Sequence, residues 1–145
     1  MKIRRATIKA VKSLLFIDKN SGYPLPQYNF QEEDFLSFLK NGIVLIIGDK
    51  ELVGYATIKK KFRDGSELDA ICILKKYHKK GLATIMLKRV IKEVRKIGKR
   101  KLYSYCWNKN FPSLKFHIKN KFYAVEITKK HYSGGETALL FCKDL

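Results

Sequence analysis

Acidic residues, proline, cysteine and long apolar runs are all scarce in this chain of 145 residues. Its three cysteines (Cys72, Cys106 and Cys142) have no CxxC spacing and form an odd set, which argues against a zinc or redox motif and a disulfide framework. We expect three buried thiols in a reducing compartment. No apolar stretch approaches the roughly 18 residues of a membrane span, and the start lacks the apolar core of a signal peptide. These absences predict a cytoplasmic protein without a membrane segment.

The charge of the chain is strongly one-sided. Lys and Arg number 31 against 13 Asp and Glu, which gives a net charge of +18, while a hydrophobic fraction of 46% is enough for a folded core. Such a surface attracts polyanions, including nucleic acid, the ribosome, anionic lipid or a polyphosphate cofactor. Because the lysines are spread along the whole chain, many of them only solvate the surface, and the charge alone selects no partner.

Hydrophobic periodicity and turn signals predict one domain over residues 1–145, with a mixed α/β sheet in the order β-α-α-β-β-β-α-β-α-β-β. The first helix is capped by Thr7, and the second opens with a capping box of Asn29 and Glu32. A long helix is expected to bury Leu82, Ile85, Met86, Val90, Val94 and Ile97 and to expose Lys88, Lys92, Glu93 and Lys96. The predicted strands are 2–5, 43–47, 52–60, 67–74, 102–107, 122–128 and 137–143, and the last two helices are 80–97 and 112–119.

The most informative segment runs from Ile71 to Ala83 and consists of a strand, a short basic loop and a glycine at the start of the long helix. The first turn of a helix leaves about four backbone N–H groups unpaired and carries partial positive charge, so a pyrophosphate can bind there. Gly81 leaves room for its approach. The segment is neither a P-loop nor a dinucleotide fingerprint, and a plain surface loop is the alternative interpretation.

This segment resembles the acetyl-coenzyme A signature of the GNAT N-acetyltransferases, (Gln/Arg)-x-x-Gly-x-(Gly/Ala), with His78 departing at the first position. The similarity continues in Glu51-Leu52-Val53-Gly54-Tyr55-Ala56 and in Asn110-Phe111-Pro112-Ser113. The tail from His131 to Leu139 is similar to the branch that acetylates protein N-termini, including ribosomal-protein N-terminal acetyltransferases.

The resemblance implies acetyl-coenzyme A as co-substrate, with no metal, and a direct attack of an amine on the thioester. It also implies that the two central parallel strands splay apart and hold the pantetheine arm along the backbone of Ile71, Cys72 and Ile73. Asn110 is expected to contact the cofactor near its thioester. The residues expected around the pyrophosphate are His78, Lys79, Lys80, Gly81, Leu82, Ala83 and Thr84.

The expected catalytic positions depart from the family pattern. Tyr105 stands where the N-terminal acetyltransferase branch has a Glu base, and His117 stands where it has the Tyr that protonates the thiolate. His117 has the pKa range for that role, but it is equally well explained as a helix residue that contacts solvent or a neighbour. A replacement base can come from Glu67 or Asp69, or from Tyr105 through a water chain. Asp69 is the better candidate, although an ordinary surface or turn carboxylate is the alternative explanation for it.

Tyr23, Tyr28 and Tyr132 are expected to line the acceptor slot, or else to be loop aromatics packed on the domain. The favoured function is transfer of an acetyl group to a protein or peptide N-terminus. The alternatives are a small-molecule amine acetyltransferase and a catalytically silent, basic module that binds nucleic acid or the ribosome. Electrostatic association with RNA or the ribosome is a further expectation, and the chain is a monomer or a homodimer.

Overall fold

A computed structural model describes residues 1–145 and shows a seven-stranded sheet with four α-helices. The mixed α/β architecture and the order of the elements are confirmed. The helices are α1 (Val11–Lys19), α2 (Glu32–Asn41), α3 (Leu82–Lys96) and α4 (Phe111–Lys119). The strands are β1 (Ile3–Arg5), β2 (Ile43–Gly48), β3 (Leu52–Phe62), β4 (Gly65–Ile73), β5 (Lys101–Trp107), β6 (Tyr123–Thr128) and β7 (Ala138–Asp144).

The strands lie in the order β1-β2-β3-β4-β5-β7-β6, and only the β4–β5 pair is parallel. Every residue of β2 is buried, because this apolar, β-branched strand is covered on both faces. Helices α1 and α2 pack against each other and against β3, while α3 packs against β3 and β4. The core therefore lies in the first half of the sheet, and β6 at the far edge is almost entirely exposed.

The capping interactions differ from those predicted. Helix α2 does have a capping box, but it is formed by Gln31 and Asp34 instead of Asn29 and Glu32, because the loop before the helix is two residues longer than expected. At the first helix, the Thr7 side chain makes no capping bond, and a short 3₁₀ turn over Ile8–Ala10 precedes α1.

The predicted faces of α3 are confirmed at most positions, with Lys88, Lys92 and Lys96 exposed, but two residues are exchanged. Glu93, expected in solvent, is buried, and Ile85, expected in the core, is 46% exposed. Glu93 Oε1 accepts bonds from Arg5 Nε at 3.0 Å and Nη2 at 2.9 Å, and its Oε2 accepts a bond from Arg89 Nε at 3.2 Å. Burial alone would raise the pKa of Glu93, but the charge-assisted bonds from Arg5 and Arg89 outweigh it and lower the pKa. A charged residue occupies a core position because its ion pairs join α3 to β1.

The two parallel strands separate soon after they meet. β4 pairs with β5 only at Ser66–Leu102 and Glu67–Tyr103, although β4 continues to Ile73 and β5 to Trp107. The register between β3 and β4 shifts by one residue at Asp69, which is the mark of a β-bulge. Bulges bend the strand that carries them, and this one lies directly beyond the last β4–β5 pair. The splayed strands implied by the family resemblance are present, and we call the space between them the gap.

Candidate functional site

The N-terminus of α3 is an open turn that follows the end of β4. Gly81 caps the helix with a φ of +76°, and a Cβ added there would meet nothing within 4 Å. No side chain caps the helix and no acidic residue lies in its first turn, so the amides of Leu82, Ala83 and Thr84 point outward without partners. Lys79 and Lys80 are exposed beside this turn. The geometry and the charge fit a diphosphate.

His78, the residue that departs from the signature, points back to the end of β4. Its Nε2 donates to the carbonyl oxygen of Ile73 at 2.8 Å, taking the tautomer with hydrogen on that nitrogen. The ring also lies close to Gly22 of the α1–α2 loop. The His78 side chain thus holds the loop between β4 and α3 against the strand end, while the backbone around Gly81 stays open.

Tyr23 lies at the gap itself. Burial raises the pKa of its hydroxyl, and the neighbouring Tyr132 hydroxyl and the thiols of Cys106 and Cys72 raise it further. Cys106 belongs to β5 and Cys72 to β4, so the Tyr23 hydroxyl is near both of the strands that border the gap. Cys72 is half-buried, whereas Cys106 is buried as expected. Burial raises the pKa of Cys72 to about 12, which leaves the thiol unreactive at neutral pH.

Two loops meet over the gap through aromatic residues. Tyr28 of the α1–α2 loop (residues 20–31) stacks on Tyr132 of the β6–β7 loop (residues 129–137), with ring centroids 5.1 Å apart. The Tyr28 hydroxyl donates to Glu136 Oε1 at 2.7 Å and accepts a bond from the Gly134 amide at 2.6 Å. The structure therefore brings Tyr23, Tyr28 and Tyr132 together, as their expected grouping requires.

Asp18, which was not predicted as a site residue, holds the α1–α2 loop through hydrogen bonds. The side chain is buried at the end of α1, and its Oδ2 accepts a bond from the Phe30 amide at 2.8 Å. Its backbone carbonyl accepts a bond from Ser21 Oγ at 2.9 Å. Both ends of the loop are thus held by one residue. An aspartate in the last turn of a helix is unfavourable for the helix dipole, and this is the only hint that the sequence contained.

A pair of carboxylates lies beside the β4 bulge. Lys59 Nζ is 3.6 Å from Glu67 Oε1 and 3.8 Å from Asp69 Oδ1. The pKa of Glu67 is raised by burial and then by the charge of Asp69. The pKa of Asp69 is also raised by burial, but Lys59 and a hydrogen bond from Glu67 oppose that shift. Burial and the charge of Asp69 therefore favour the proton on Glu67, and Lys59 favours the charge on Asp69.

His131 completes this cluster and was not predicted as a site residue. Its ring stacks on Tyr105 with centroids 4.1 Å apart and packs edge-on against Tyr132. Burial lowers the pKa of His131 and the charge of Asp69 partly restores it. Lys59 and His131 were missed because cross-strand pairing and the closure of the β6–β7 loop bring them to Asp69, and neither has a local sequence signal.

His117 lies in the core behind β5. Its Nδ1 is 2.7 Å from the carbonyl oxygen of Ser113, its Nε2 is 2.8 Å from Ser104 Oγ, and its ring stacks on Phe141. Burial lowers its pKa. A buried, neutral imidazole with both nitrogens bonded does not fit the expected proton donor. Asn110 accepts a 3.4 Å bond from the Ser113 amide and so caps α4.

No set of three or more His, Cys, Asp or Glu side chains is arranged to hold a metal ion. None of the helices has both the length and the apolar character that crossing a bilayer requires.

Comparison with known proteins places these features in a family. Residues 9–122 match the acetyltransferase (GNAT) family. A curated N-alpha-acetyltransferase of Saccharolobus solfataricus is 27% identical over 115 residues, which make up 77% of this chain and 68% of that protein.

Solved structures share the fold over nearly the whole chain. The ribosomal-protein-S18-alanine N-acetyltransferase of Escherichia coli has a TM-score of 0.84 at 17% identity, covering 99% of this chain and 92% of that one. A GNAT family acetyltransferase of Elizabethkingia anophelis with acetyl-CoA bound has a TM-score of 0.80 at 18% identity, covering 99% and 97%. At these identities the likeness shows a common fold.

Proposed function

The chain belongs to the GNAT family of acetyltransferases, which use acetyl-coenzyme A, and from this premise we propose that its acceptor is the α-amino group of a protein or peptide N-terminus. The names of the curated relative and of the Escherichia coli neighbour support this acceptor class. The observation that carries the proposal is the Asp69 carboxylate, which lies beside the gap where the two loops meet.

The residues that would hold the co-substrate are those of the α3 turn and the β4 end. Free amides from Gly81 to Thr84 would bind the diphosphate, with Lys79 and Lys80 adding charge. The backbone of Ile71, Cys72 and Ile73 borders the gap beyond the last β4–β5 pair, where it is free to bond the pantetheine amides. The thioester supplies the acetyl group and a thiolate leaving group.

Asp69 is proposed as the general base. An N-terminal amine arrives mostly protonated, since its ordinary pKa is about 7.7–8.0, and a carboxylate both attracts this ammonium and removes a proton from it. Burial favours the protonated form of Glu67, and in that form Glu67 donates to Asp69 and keeps the charge of Asp69 directed at the acceptor. The stacked rings of Tyr105 and His131 lie along the same side, so Tyr105 shapes the slot next to the base.

The departing thiolate takes up the second proton that the amine loses, and we propose that the hydroxyls of Tyr23 and Tyr132 stabilise it by hydrogen bonding until it does. Burial raises the pKa of both groups, so both remain protonated donors at neutral pH. Tyr23 is near Cys72 of β4 and Cys106 of β5, and Tyr132 is near Cys106. His117 is assigned a structural role on the strength of its bonds to Ser113 and Ser104.

An acetylation assay tests the acceptor class. Short peptides with free N-termini, the same peptides with blocked N-termini, and small amines such as spermidine are incubated with acetyl-coenzyme A, and products are mapped by mass spectrometry. We expect acetylation at the free α-amine and none on the blocked peptides. Turnover of the small amines alone would contradict the proposal.

A further inference from the structure

An open cleft of about 610 Å³ lies between α2 and β3 and leads to Asp69. This volume is within the usual range for ligand sites, about 300–1,000 Å³. Its walls include Asp34 and Phe38 of α2 and the consecutive lysines 59–61 of β3. Because Asp69 lines the cleft and also belongs to the acid–base cluster, a molecule in this cleft can present an amine to that carboxylate.

The loops over the gap leave this cleft as the open route for the rest of an acceptor. Tyr28 is bonded to both Glu136 and Gly134, and its stack on Tyr132 closes the space above the gap. A chain whose first residue lies at Asp69 has a free path along β3, where the cleft is open to solvent. The residues that follow the acceptor amine would therefore meet the β3 lysines.

Some of the charged side chains that line the cleft already have partners, and others do not. Lys59 is engaged with the Glu67–Asp69 pair, and the Asp34 carboxylate caps α2 by accepting a bond from the Gln31 amide at 2.7 Å. Lys60 and Lys61 are exposed and have no carboxylate within ion-pair distance. Two cations without partners thus remain in the wall of the cleft.

The spacing matches a short extended peptide. Lys61 follows Lys59 by two strand residues, a distance of about 7 Å, and two extended peptide residues span about 7 Å as well. Lys61 therefore reaches the third residue of an acceptor whose α-amine lies at Asp69, and Lys60, which precedes it in the wall of the cleft, serves the second.

We propose that this cleft selects acceptor proteins with Asp or Glu at the second or third position, which Lys60 and Lys61 bind. This inference rests on the proposed N-terminal acetyltransferase function and narrows its substrate class. The β3 lysines attract the acidic side chains, and Asp69 receives the α-ammonium. These opposite charges orient the acceptor with its amine toward the gap.

Steady-state kinetics with matched peptides tests the selection. Three peptides share the same first residue and carry two acidic, two neutral or two basic residues at positions two and three. The wild-type enzyme is expected to have a KM for the acidic peptide about tenfold below that for the neutral one, as for two exposed ion pairs. The Lys60→Ser/Lys61→Ser variant is expected to lose this preference through KM, and Lys60→Glu/Lys61→Glu to favour the basic peptide.

A Lys88→Ser/Lys92→Ser variant controls for net charge, because it removes two exposed lysines from α3, and it should keep the wild-type preference. If the peptides are acetylated equally well, or if the control variant loses the preference to the same extent, the cleft inference is wrong while N-terminal acetylation stands. If no peptide is acetylated but small amines are, both proposals fail.

Discussion

Replacing Gly81 with alanine separates the binding role of the α3 turn from its backbone strain. Gly81 has a φ of +76°, and Gly98, at the other end of the same helix, has a φ of +80°. An added Cβ meets nothing within 4 Å at either position. The left-handed conformation costs an alanine about 1–2 kcal/mol in each case. Gly98→Ala is therefore a control with the same strain and no contact with the anion-binding turn.

Both variants are expected to melt about 3–6 °C below the wild type, from about 3 °C per kcal/mol for a chain of this size. Only Gly81→Ala should also lose affinity for acetyl-coenzyme A, since its methyl group fills the space in front of the helix amides. Losing one charge-assisted hydrogen bond costs about 1.5–3 kcal/mol, which weakens binding about 10–150-fold.

Isothermal titration calorimetry with acetyl-coenzyme A measures the affinity, and thermal unfolding without ligand measures the strain. A dissociation constant for Gly81→Ala within twofold of that for Gly98→Ala would refute the assignment of the α3 turn as the diphosphate site. Equal weakening in both variants would do the same, because strain alone would then account for the loss.

The remaining predictions concern the acid–base pair, the loops and the buried ion pair. Asp69→Asn should lower kcat/KM by about 10²–10⁴, and wild-type kcat/KM should fall as pH drops through the raised pKa of Asp69; a variant with an unchanged pH profile would exclude it as the base. Burial raises the pKa of Glu67, so the contribution of Glu67 to the free energy of unfolding is present below its unfolded pKa of about 4.3 and is lost as pH rises through the folded pKa. Glu67→Gln should therefore have a higher melting temperature than the wild type at pH 8 but not at pH 4. Tyr28→Phe breaks the bonds to Glu136 and Gly134 but keeps the ring stack, so it should raise the KM for peptides several-fold with the melting temperature little changed; an unaltered KM would show that these bonds do not order the slot. Glu93→Gln should cost about 1–3 kcal/mol of unfolding free energy in urea titrations, and a neutral effect would mean that its ion pairs only offset desolvation.

The order of elements and the open glycine turn before α3 could be predicted from the sequence because both have local signals. A glycine at the start of an amphipathic helix, preceded by lysines, is visible along the chain, and so are the periods of strands and helices. Glu93 was misplaced because helical periodicity cannot show that Arg5, 88 residues away, neutralises it. Similarly, the position of the Asp69 carboxylate depends on a one-residue register shift, and nothing local in the sequence indicates how β3 pairs with β4.

In the α1–α2 and β6–β7 loops, too, some features could be predicted from the sequence and others could not. Tyrosines in flanking loops could be identified as candidates, but their contact arises from closure across more than 100 residues, as between Tyr28 and Glu136. His117 matched a family position by counting from Asn110, yet its ring turns toward Ser104 and the core. Counting residues along a helix fixes a position but not the direction of its side chain.

Because β4 and β5 separate early, each strand has an unpaired edge in the middle of the sheet. Beyond Glu67 and Tyr103, the amide and carbonyl groups of each strand that face the other have no ladder partner there, so they depend on water or a bound molecule. Their amide protons should exchange quickly in the free enzyme and slowly once coenzyme A spans both strands. Since a ligand bound only to the folded form adds to stability in proportion to the logarithm of its concentration, the lifetime of the folded chain is tied to the supply of its own acyl donor.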